Sequence, residues 1–281
     1  MDKDAFELAN SIRYKDDRKT QIRPLDSSNL QSVELGFSLQ SLKVTKEITP
    51  SIYDALQAVC ERLYLKKNIV VAYITSSSDI QAQCISFNTE SCLITLSSEL
   101  TNLLNQKELE FVIGHELGHF LFQHNIETRL DNSKESFIAL RAKEISVDRI
   151  GLCACRDLDV AMKSIIKILS GLDDRLLRFD LNAFLQQIEH KATIPNESQQ
   201  IFSTHPSLLL RAKALVRFSL CQEYQQLNNK FGGSNLNEID NLIRKINYIV
   251  ENIDNKEVYL IRENAYNYVK DNYSIEKIVL E

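Results

Sequence analysis

Apolar positions along this chain alternate between a helical and an extended period. Ile52, Leu56, Val59 and Leu63 recur at helical spacing, with Thr49 placed to cap the helix and Pro50 suited to its first turn. Ile69 to Ile74 is a β-branched run that predicts a buried strand. Ala82 to Phe87 and Cys92 to Leu96 predict two more strands around a turn at 88–91. Asn105 and Glu108 then have capping-box spacing, ahead of a thick apolar surface made by Leu109, Val112, Ile113, Leu117 and Phe120. Further helices are predicted over about 134–156 and 157–169, over 182–188, from Pro206, and near 237–251 and 256–272. Residues 192–203 and 228–235 read as loop or linker. Upstream, short alternating pieces such as Val33-Glu34-Leu35 allow one or two edge strands.

This order predicts an α+β fold, mostly helical, with a small sheet beside the helix that begins at Asn105. It divides into an N-terminal arm or partial cover (1–46), a main domain (47–221) and a C-terminal helical extension (222–281). Gly114 and Gly118 lie four apart on the central helix. Each costs about 1 kcal/mol relative to Ala in a helix interior, so a close neighbour is expected along that stripe.

Composition narrows the function classes. The 281 residues are 44% apolar and 25% charged, an ordinary globular balance. The net charge is -5 with no basic block, which argues against nucleic acid as a partner. No apolar run approaches the roughly 18 residues of a membrane span, and the charged start leads into no signal-type apolar core. The six cysteines are scattered, without Cys-x-x-Cys pairs, and are expected as buried small side chains in a reducing, cytoplasmic setting. Cys84 and Cys92 flank a turn and could face each other.

Chemistry concentrates in His115-Glu116-Leu117-Gly118-His119. Residues four apart share a helix face, so His115 and His119 can offer two imidazoles side by side to Zn²⁺. Glu116, about 100° round, can take a proton from water as general base. A catalytic zinc site needs a third protein ligand. Glu144, on the next predicted helix and 25 residues downstream of His119, is the candidate. Asp148, one turn beyond Glu144, can accept the outer N–H of His115. His205, at the mouth of a helix, either donates to a tetrahedral intermediate or caps a turn. His124 and His190 read as surface residues. The predicted strand Cys92 to Leu96 could form the cleft rim and pair with an extended peptide.

Taken together, several segments resemble the M48 family of zinc metallopeptidases, a gluzincin group that includes the Ste24 and HtpX-type enzymes. The resemblance is closest to its soluble bacterial members and covers about residues 40–220. It rests on Leu42-Lys43-Val44-Thr45 with the Pro50 helix and on Val112 to His119. It also rests on Arg141-Ala142-Lys143-Glu144-Ile145-Ser146-Val147-Asp148-Arg149-Ile150-Gly151, and on Thr204-His205-Pro206 ahead of Arg211. The resemblance implies a zincin-like fold and an endopeptidase acting on peptide or unfolded protein. It implies one zinc per chain on His115, His119 and Glu144, Glu116 as catalytic glutamate, Asp148 behind a histidine, and His205 near the reacting carbonyl. The competing reading is a latent or non-catalytic zinc-binding protein of the same fold, acting as a protein-binding module.

Overall fold

The computed structural model describes residues 3–14, 17, 28–66, 68–86, 90–124, 134–181, 183–184, 205–228, 233–241 and 243. The expected loop at 192–203, the helix near 256–272 and His190 lie outside the described residues, as does most of 182–188.

In chain order the elements are α1 (Lys3–Ile12), α2 (Ser28–Gln40), β1 (Leu42–Lys43), α3 (Pro50–Arg62), β2 (Val70–Thr75), β3 (Ala82–Ser86) and β4 (Cys92–Ser97). They continue with α4 (Ser98–Leu103), α5 (Gln106–Leu121), α6 (Lys134–Cys155), α7 (Leu158–Ser170), α8 (Leu208–Ser219) and α9 (Gln222–Leu227). The architecture is α+β and mostly helical, with one four-stranded sheet in the order β1-β2-β4-β3. β2 and β4 run parallel, while β1 and β3 pair antiparallel with β2 and β4 respectively.

The strand order corrects one expectation. Cys92 to Leu96 is not a rim: β4 is hydrogen-bonded on both sides, and nearly all its residues are buried. A continuous apolar run marks a strand covered on both faces, so Cys92-Leu93-Ile94 signals an interior position. The edge strand next to α5 is β3. Cys84 stands opposite Ile94, and Cys92 opposite Ser86, so the two cysteines are diagonal neighbours, and no disulfide joins them.

Val33-Glu34-Leu35 is also not a strand but part of α2. Val33 and Phe37, four apart, cover the outer face of the sheet against Tyr73 and Leu93, with the Phe37 and Tyr73 rings 6.0 Å apart. The helical pair has a sheet face to cover, which three alternating residues could not reveal.

On the other face lie the long helices. α5 starts as its sequence requires: Glu108 N–H donates to Asn105 Oδ1 at 3.0 Å and Asn105 N–H donates to Glu108 Oε2 at 2.9 Å. Leu109, Phe111, Val112, Ile113, Leu117 and Phe120 then bury themselves all round the helix. The glycine stripe has the neighbour it implied. A Cβ on Gly114 would stand 2.4 Å from Ala154 Cβ, and one on Gly118 would meet Val147 at 3.0 Å. Across the contact, a Cβ on Gly151 would meet the Phe111 ring at 2.8 Å. Small residues on both sides let α5 and α6 approach closely, which fixes their relative register.

α1 joins this core through Ala5, Ala9 and Ile12. Arg149, buried in α6, donates to the Ile12 carbonyl at 3.0 Å and pairs with Asp240, with its guanidinium over the Tyr14 and Phe218 rings. One buried cation thus ties α6 to an N-terminal and a C-terminal segment. No helix among the described residues is long and apolar enough to cross a membrane.

Candidate metal centre

His115 and His119 stand one turn apart on α5 and face α6, where Glu144 lies opposite. His115 Nε2 is 3.6 Å from Glu144 Oε2, and His119 Nε2 is 3.6 Å from Glu144 Oε1. One ligand atom from each of the three residues lies within 4.8 Å of the others. Atoms held about 2.0–2.2 Å from a shared zinc ion are roughly 3.4 Å apart in a tetrahedral set, so this spacing suits one. Glu144 Oε2 is buried, with no hydrogen-bond partner among the described residues. A buried carboxylate oxygen without a donor is costly unless a cation meets it. Two imidazoles, a carboxylate and an orphaned oxygen fit a divalent metal of zinc type.

The two histidines have different backing. Asp148 can only accept, so His115 Nδ1 carries the proton it donates to Asp148 Oδ1 at 3.0 Å. That leaves Nε2 of His115 facing Glu144 as a lone pair. Arg211, from α8, donates through Nε to Asp148 Oδ2 at 2.7 Å and through Nη2 to Oδ1 at 2.6 Å. Burial alone would raise the Asp148 pKa, but the Arg211 charge and the bonds from Arg211 and His115 drive it far below the ordinary carboxylate range. Sequence reasoning singled out Asp148. It used Arg211 only as a marker of the family pattern, because its role depends on how α8 packs on α6.

Burial favours the neutral form of His115, yet its bond to Asp148 and the charges of Glu144, Asp148 and Glu116 outweigh that and raise its pKa. His119 is the opposite case. Burial lowers its pKa, and the neighbouring His115, His124 and Lys143, which disfavour a further positive charge there, lower it more. A neutral imidazole is the ligand form.

Glu116 is half-buried beside β3, where its carboxylate accepts from the Cys84 backbone N–H. Burial raises its pKa and the nearby Glu144 adds to this, while His115 and the Cys84 bond oppose. A carboxylate tuned upward is a better base at neutral pH. His205 precedes α8 and is exposed, with Nε2 3.6 Å from Glu144 Oε2. Ser207, not His205, caps α8 through its side chain to Leu210 N–H.

His124 is not a surface residue, contrary to the sequence reading. Its side chain is only 2% exposed, with Nδ1 3.2 Å from His119 Nδ1 and Nε2 3.1 Å from both Asp17 oxygens. Its position after the expected end of α5 gave no sign of this. The signal present was its spacing, five residues past His119.

Peptidase family M48 has a sequence model that matches residues 49–140. That span holds α3, β2 to β4 and α5, including Glu116 and both histidines of the motif. Glu144, Asp148 and His205 lie beyond it. The Arabidopsis thaliana protein described as plastoglobule-localized metallopeptidase 48, chloroplastic, is 23% identical over 215 residues, which is 66% of this chain and 62% of that protein. The chain thus spans less than two thirds of the length of the curated relative it matches. No solved structure matches it. The family match across the metal helix, and a metallopeptidase relative that aligns over most of this chain, support membership of peptidase family M48.

Proposed function

We propose that this chain is a zinc-dependent endopeptidase of zincin-like fold. The convergence of His115 Nε2, His119 Nε2 and the Glu144 carboxylate, with Glu116 beside them, carries this reading. His115, His119 and Glu144 would hold the ion. Zinc bound there would supply a Lewis acid for the scissile carbonyl and lower the pKa of water. Glu116 takes the proton from the attacking water and returns it to the leaving amine. His205, exposed and within 3.6 Å of Glu144, donates a hydrogen bond to the oxyanion as it develops. Asp148 holds His115 in the Nδ1–H tautomer.

The substrate would be an extended peptide or an unfolded protein. β3 is the edge strand, and the Cys84 N–H points from it toward Glu116, away from β4. A peptide laid along that edge would present its backbone next to the base. A reducing, cytoplasmic setting belongs to the same reading and suits the six buried cysteines, all in the reduced form.

The test compares the parent with Glu116→Gln for zinc content and for cleavage of casein. One zinc per chain in both, with cleavage by the parent alone, is expected. Zinc in both with no cleavage by either would favour the latent or binding-only alternative.

A further inference from the structure

The two motif histidines are backed by different groups, His115 by Asp148 with Arg211 and His119 by His124 with Asp17. We infer that His124 and Asp17 position His119, so that a segment near the N-terminus completes the metal centre. This rests on the proposed metal site and deepens it.

Proton counting on the geometry assigns the roles. Asp17 can only accept, and His124 Nε2 lies 3.1 Å from both of its oxygens, so His124 Nε2 carries a proton. In the neutral ring, Nδ1 of His124 is then an acceptor. The two Nδ1 atoms are 3.2 Å apart, so the proton between them sits on His119. His119 is thereby held as the Nδ1–H tautomer, with its Nε2 lone pair toward Glu144. The chain Asp17, His124, His119 mirrors the chain Arg211, Asp148, His115 on the other ligand.

The backbone is built for this contact. α5 ends in a turn where Gln123 N–H donates to the Phe120 carbonyl at 3.0 Å and His124 N–H to the His119 carbonyl at 2.9 Å. Gln123 takes φ 60, the left-handed region usually given to glycine. That turn folds His124 back under His119, where the Phe122 ring stacks on it at 5.3 Å. Asp17 is brought there from 107 residues away. Its own N–H donates to the Tyr14 carbonyl at 2.9 Å, and Tyr14 N–H donates to Ser146 Oγ on α6 at 3.0 Å. Asp17 is buried, with Arg13 Nη1 at 3.8 Å and the charge of Lys143 nearby. His124 and Asp17 are positioning residues, acting on the metal only through His119.

The experiment uses the full chain with His124→Leu, His124→Asn and Asp17→Asn. Zinc affinity is read by competition with a chromophoric chelator, with thermal unfolding alongside. The His119 tautomer is read in the metal-free parent by long-range ¹H–¹⁵N NMR. His124→Leu should bind zinc about 10–100-fold more weakly. His124→Asn, with an oxygen near the place of Nδ1, should recover most of that loss. Asp17→Asn, which still accepts from His124, should fall between parent and His124→Leu. His119 in the parent should be the Nδ1–H form. Zinc affinity of His124→Leu within about twofold of the parent, whatever its melting temperature, would overturn the inference, because a purely structural role moves stability alone. An Nε2–H tautomer of His119 would overturn it too, and decides the matter even where His124→Leu fails to fold. A parent that binds no zinc would sink the metal reading and this inference together. Equal binding by parent and variants would sink this one only.

Discussion

Arg211 grips Asp148 with two nitrogens, Nε to Oδ2 at 2.7 Å and Nη2 to Oδ1 at 2.6 Å, while the same carboxylate accepts from His115. The pair lies between α8 and α6, so the packing of one helix on another sets the orientation of a ligand histidine. Removing one partner of a buried ion pair leaves the other uncompensated, at a cost of about 3–5 kcal/mol. Arg211→Met should therefore destabilise the chain by that order in urea unfolding. It should also weaken zinc binding about 10–100-fold as Asp148 loses its hold on His115.

The same carboxylate predicts a pH dependence. Its folded pKa is depressed, so its contribution to stability is present above the unfolded value of about 3.9 and is lost as pH falls from there through the folded value. Urea midpoints of the metal-free chain should drop as pH is lowered below about 4. In Asp148→Asn that part of the slope should be absent. Equal slopes in both proteins would count against the pairing.

Glu116 should trade stability for activity. Its pKa is raised, first by burial, so its ionised form is disfavoured in the folded chain at neutral pH. Glu116→Gln should raise the thermal midpoint of the metal-free protein at pH 7, and the gain should vanish as pH falls through the unfolded carboxylate range. The same change should lower cleavage by about 10²–10⁴-fold, the usual contribution of a general base. Calorimetry and a peptide-cleavage assay on one preparation check both.

Gly114→Ala should loosen the metal centre without touching a ligand. The added methyl would stand 2.4 Å from Ala154 Cβ, and neither helix backbone can yield cheaply. Overpacking of this kind costs about 1–3 kcal/mol. Moving α5 from α6 also carries His115 and His119 away from Glu144, so zinc affinity should fall with stability. A double change, Gly114→Ala with Ala154→Gly, should restore much of both.

Gln123→Gly should be tolerated. The residue sits at φ 60, where a β-carbon is strained, and glycine removes that strain at some cost in unfolded-chain entropy. Zinc affinity should be unchanged and the melting point equal or higher. Gln123→Val should be destabilised by about 1–2 kcal/mol, because a β-branched residue fits the left-handed region poorly.

What the sequence by itself determined is the local part of this protein. The Asn105–Glu108 box starts α5, the four-residue spacing of His115 and His119 puts them on one face, and Glu144 and Asp148 share a face of α6 for the same reason. Gly114 and Gly118 pointed to a close neighbour along one stripe of α5, and the fold supplies α6 as that neighbour. These features depend on backbone periodicity within one helix, which residue spacing encodes directly.

Tertiary structure decided the rest. β4 became an interior strand and β3 the edge because strand order is a matter of non-local pairing. Residues 33–35 became helical because Val33 and Phe37 found Tyr73 and Leu93 to cover. His124 became a buried neighbour of His119 through one left-handed residue at Gln123 and a carboxylate 107 positions upstream. Contacts between distant segments carry no period along the chain, so only the folded arrangement could bring Asp17, His124 and Arg211 to the centre.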